Sequence, residues 1–117
     1  MIARYWRGRV RSRDVEEYVE YVRRTGVAAH RSTPGNVGSM VLVHDEETEA
    51  EVVVVSLWVS LDAIRQFAGD EAERAVFYPE DERYLVAADP FARHYEVPAY
   101  ALVPDPAGVT DGERRIS

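Results

Sequence analysis

Apolar and polar positions along the chain fall into two periodicities that alternate in blocks. Ile2 to Val10 reads as a first strand of mixed polarity, with Tyr5 and Trp6 adding strand propensity. Val15, Tyr18, Val19 and Val22 then mark one stripe of an amphipathic helix, with Glu16, Glu17, Glu20, Arg23 and Arg24 on its wet side. Asp14 is its expected cap, with Glu17 at capping-box spacing, and Gly26 its expected end. A connector, Val27 to Asn36, leads through the turn signal Pro34-Gly35 to a second strand, Val37 to His44. Asp45 to Thr48 forms a polar turn into the β-branched run Glu51 to Trp58, so strands two and three make a hairpin.

At Trp58 the signal changes from strand to helix within two residues. Ser60 is a cap, Leu61, Ile64 and Phe67 form the stripe, and Gly69 is the stop. After the acidic segment Asp70 to Glu73, Pro79-Glu80-Asp81-Glu82 begins another helical turn, with its proline and carboxylates placed for a first turn. Asp89-Pro90 breaks the pattern, and Phe91 to Val97 is the fourth strand. The order β-α-β-β-α-β predicts an α+β, ferredoxin-like fold, with helices on one face of an antiparallel sheet. Both faces of the central strands are apolar, so the face away from the helices predicts a homodimer in which two sheets meet.

Several motifs resemble the antibiotic biosynthesis monooxygenase-like family of dimeric α/β-barrel proteins. They are Ser56-Leu57-Trp58 followed by Ser60-Leu61-Asp62-Ala63-Ile64 and Phe67, then Ala75-Val76-Phe77-Tyr78-Pro79-Glu80-Asp81, and His94-Tyr95-Glu96-Val97. The resemblance spans residues 1–98, one domain by size, and leaves 99–117 as an extended or mobile tail in which Tyr100, Leu102 and Val103 are candidates for contacts with a partner. It implies a dimeric α/β barrel and a superfamily that contains cofactor-independent oxygenases of polyketide-like aromatics and haem-degrading enzymes. Oxygenases of this kind place a tryptophan near the Trp58 junction, but their asparagine four residues earlier corresponds to Val54 here. The haem-ligating histidine of the degraders corresponds to about Phe77, so the resemblance implies no haem.

Composition narrows the remaining classes. A chain of 117 residues, 46% hydrophobic and 30% charged, suits one modest core. Its formal net charge of −7 opposes phosphate backbones, which makes nucleic acid an unfavourable partner. The absence of cysteine excludes disulfides, thiolate metal sites and a thiol nucleophile, and no histidine pair has metal-ligand spacing. No cofactor and no membrane contact are expected. With no apolar signal core near Met1, cytoplasmic residence is the expectation.

The candidate chemistry follows from these placements. The expected catalytic residues are His94 for proton transfer, Trp58 as a cavity wall and Arg4 for charge stabilisation, with Trp6, Phe67, Tyr78 and Tyr84 contacting a small aromatic ligand. The plainer alternatives are a core indole at Trp58, a seam histidine at His94, and an ion pair of Arg4 with Glu96. His30 and His44 are assigned to the surface. The leading reaction is cofactor-independent oxidation of a small aromatic or polyketide-like compound; the alternative is a non-catalytic binding protein.

Overall fold

A single five-stranded antiparallel sheet organises the computed structural model, which describes residues 1–103. Strands β1 (Ile2–Arg11), β2 (Asn36–Asp45) and β3 (Glu49–Trp58) run in the order β2-β3-β1. The far side of β1 is shared by two short strands, β4 (Leu85–Ala88) opposite Gly8 to Val10 and β5 (Arg93–Glu96) opposite Ile2 to Tyr5. The expected fourth strand, Phe91 to Val97, is therefore shortened to Arg93–Glu96, and Leu85–Ala88 is a further strand ahead of it. Pro90 has no N–H for a ladder, and the chain at the break turns outward, where Pro90 O accepts from Ala75 N and Ala92 N donates to Glu73 O. Leu85 to Ala88 has neither alternation nor β-branched density, which is why its strand was not visible in the pattern.

The helices α1 (Val15–Val22), α2 (Ala28–Ser32), α3 (Leu61–Ala68) and α4 (Asp81–Tyr84) cover one sheet face. Gly26 does not end the first helix. A π-helical stretch, Arg23–Val27, carries the αR backbone from α1 into α2, and the helical path stops only at Thr33, whose backbone is extended. Asp14 makes no side-chain capping bond, because a 3₁₀ turn at Ser12–Asp14 already holds it in the αR region. Ser60 does cap α3, its Oγ accepting from Ala63 N at 3.1 Å, and Gly69 ends it at φ +90°.

Two apolar clusters form beneath the helices. Val10, Tyr18, Tyr21, Val22, Ala50, Val52 and Tyr84 make one; Trp58, Ala63, Ile64 and Ala72 make the other. On the opposite sheet face the register aligns Tyr5, Val55 and Met40 in one row and Arg7, Val53 and Leu42 in the next. Met40, Leu42 and Tyr95 are exposed there. No helix among the described residues is long and apolar enough to cross a membrane. Residues 104–117 of the expected tail lie outside the described residues; Tyr100, Leu102 and Val103 are exposed and belong to no strand or helix.

Candidate active site between the two core clusters

Arg4, Trp6 and Gly8 alternate on the helix-facing side of β1, opposite Ser56, Val54 and Val52 of β3. That row borders a cavity between sheet and helices. It is a partly open recess of about 550 Å³ including its mouth. Arg4, His30, Ser56 and Phe67 line it, as do Tyr18, Val22, Val54 and Asp81. The loop residues Ala75 to Tyr78 and the π-helical Thr25 and Gly26 complete it. Trp6, Phe77 and Tyr78 line it with aromatic rings.

Arg4 is 4% exposed. Its Nη1 donates to Ala72 O and, at 3.0 Å, to His94 Nε2; its Nη2 donates to Arg74 O at 2.7 Å. Arg4 makes no ion pair among the described residues, and Glu96 faces Ile2 rather than Arg4, so the expected Arg4–Glu96 pair does not form. The loop carbonyls occupy the donors instead. Burial lowers the guanidinium to about 10, partly offset by the field of Glu73. A buried positive charge thus borders an aromatic-lined cavity, and its hydrogen-bond partners among the described residues are neutral.

His94 reaches this charge from β5 without lining the cavity. A guanidinium has no acceptor, so the imidazole must accept, which makes His94 neutral with its proton on Nδ1. Burial and the neighbouring Arg4 hold its pKa below the usual histidine value.

His30, assigned to the surface from the sequence, is buried at 4% exposure and lines the cavity. It packs edge-on against Phe67 at 4.5 Å and Trp58 at 5.6 Å, with Nδ1 2.9 Å from Ser39 Oγ. Desolvation, and secondarily Arg4, lowers its pKa to about 4. The missed signal is the spacing Tyr18, Val22, Gly26, His30, which is one helix face once Gly26 is read as helical. His44 is exposed, as expected.

Trp58 is wholly buried behind the cavity wall, its Nε1–H donating to Ser56 Oγ at 2.8 Å and its ring stacked on Phe67 at 5.8 Å. Phe67, Trp6 and Tyr78 line the cavity; Arg4 lies over the Phe67 ring at 5.8 Å. Tyr84 lies away from it, packed with Tyr18 and Tyr21 and donating to Glu17 Oε2 at 3.4 Å. Phe77, exposed at the mouth, meets Trp6 edge-on at 6.1 Å.

Solved structures place this architecture. A Bacillus cereus protein named as a candidate antibiotic biosynthesis monooxygenase superposes with a TM-score of 0.62 and 22% identity, covering 88% of this chain and 96% of the other. The chain has the antibiotic biosynthesis monooxygenase fold. A second match is a variant of MhuD crystallised with two manganese protoporphyrin IX per active site, with a TM-score of 0.61 and 19% identity, covering 88% of this chain and all of that one. No family model and no curated protein sequence matches. No group of three or more metal-ligating side chains converges among the described residues.

Proposed function

We propose that the protein is a cofactor-independent monooxygenase of a small aromatic substrate that reacts as its phenolate or enolate. The observation that carries the reading is Arg4, a buried cation that makes no ion pair among the described residues, at an aromatic-lined cavity. Binding an anion there offsets the desolvation that the field of Glu73 only partly compensates. Arg4 stabilises the substrate anion, and His94 positions Arg4. His30, neutral at pH 7, takes the substrate proton, and the bound anion beside it raises its basicity. Trp6, Phe67 and Tyr78 hold the ring. Dioxygen then adds to the electron-rich C–H carbon, His30 returns its proton to the peroxide anion, and loss of water together with that carbon's hydrogen leaves the carbonyl product.

The working unit in this reading is a homodimer built on the domain spanning residues 1–98. Burying the open face around Tyr5, Met40, Leu42, Val55 and Tyr95 contributes on the order of 25 cal/mol per Å² of apolar surface. A thermal-shift screen of phenols, followed by oxygen-uptake measurements on the hits, tests the function. Uptake that depends on Arg4 supports it. Binding without uptake makes the protein a binding module.

A further inference from the structure

The cavity carries a second polar anchor besides Arg4. Asp81 is 7% exposed and lines the cavity from the start of α4, and Tyr18 lines it from α1. Asp81 Oδ2 accepts from Tyr78 N at 2.6 Å, a firm bond that fixes the turn before α4. Among the described residues its Oδ1 accepts only from the Tyr18 hydroxyl, at 3.4 Å, which is a long and weak contact. A carboxylate has about four lone-pair sites, so this oxygen retains capacity for another donor. The two anchors lie toward opposite ends of β1, because Tyr18 sits in the core cluster of Val10 and Val52 whereas Arg4, paired with Ser56, packs over Phe67 beside the cluster of Trp58, which pairs with Ile2.

We infer that the cavity selects an aromatic ligand with two oxygen functions at opposite ends: an anionic oxygen held by Arg4 and a hydroxyl that donates to Asp81. This rests on the proposed anion-binding role of Arg4 and adds the far end of the ligand to it. A hydroxyl reaching Asp81 gains a charge-assisted bond in a site shielded from water, whereas a hydrogen in its place leaves a buried carboxylate oxygen poorly paired. Discrimination at such a site is governed by the missing hydrogen bond more than by ring size.

Benzoate and 4-hydroxybenzoate are suitable probes, titrated calorimetrically into the full-length protein. Wild type should bind 4-hydroxybenzoate about 10-fold or more tightly than benzoate. In Asp81→Asn that preference should fall below about 3-fold while benzoate affinity stays unchanged, because benzoate reports only the Arg4 end. Tyr18→Phe removes the competing donor and should keep or increase the preference; its loss there would contradict the assignment, and this variant decides if Asp81→Asn does not fold. Equal binding of the two acids by wild type overturns the inference alone. Failure of both acids to bind overturns the anion cavity, and this inference with it.

Discussion

Arg4 Nη1 and His94 Nε2 lie 3.0 Å apart, joining β1 to β5 across the register that pairs these two residues. The imidazole lone pair is committed to the guanidinium, so His94 acts on Arg4 instead of on a ligand. His94→Gln, which retains an acceptor, should keep most ligand affinity, whereas His94→Leu should weaken anion binding by about 10-fold by leaving a buried N–H of Arg4 unpaired. Calorimetry with benzoate reads both. Equal affinities in the two variants would remove the positioning role.

The two low-pKa histidines make stability depend on pH. His30 titrates near 4 in the fold and about 6.5 unfolded, and His94 is shifted in the same direction. Between those values the unfolded chain binds more protons, so the stabilisation is complete above about pH 6.5 and is lost as pH falls toward about 4. The melting temperature should therefore fall between pH 7 and pH 5. His30→Gln should show a smaller fall.

Trp58 is stabilised by area and by one hydrogen bond. Trp58→Ala should cost about 3–5 kcal/mol in urea unfolding. Ser56→Ala leaves the indole N–H without its partner and should cost about 1–3 kcal/mol. Ser56→Ala made in a Trp58→Phe background should cost less, since Phe has no donor to strand.

Gly35 turns the chain into β2 at φ +92°, and a Cβ there would lie 2.6 Å from Ala63 Cβ. Gly35→Ala combines left-handed strain with a clash against α3, and should destabilise by about 2–4 kcal/mol. Gly38, in the next strand, has nothing within 4 Å of such an atom, and Gly38→Ala should change stability far less.

Much of this fold was legible from periodicity. The strand-to-helix switch at Trp58 and Ser60 carries its own cap and stop, and the β2–β3 hairpin follows from its polar turn. The site was less legible. Arg4, Trp6, Phe67 and Tyr78 share the cavity as their positions suggested, but Trp58 stands behind the wall and Tyr84 belongs to a tyrosine cluster. His30 reads as a surface residue in the sequence because Gly26, elsewhere a helix stop, here lies within a π-helical stretch that keeps the chain helical for another turn. The partners of Arg4 are backbone carbonyls of residues 72 and 74. Every residue offers such an acceptor, so no side-chain pattern could point to them.

The central claim is that Arg4 presents a net positive field to an aromatic oxygen. The most direct measurement is the ionisation of 4-nitrophenol bound to the protein, followed by the absorbance of its phenolate. Burial alone raises a phenol's pKa, and a nearby guanidinium lowers it. Bound to wild type, the probe should ionise at lower pH than free in solution, and in Arg4→Gln at higher pH. A wild-type-bound probe that ionises at or above the pH of the free phenol would contradict the account.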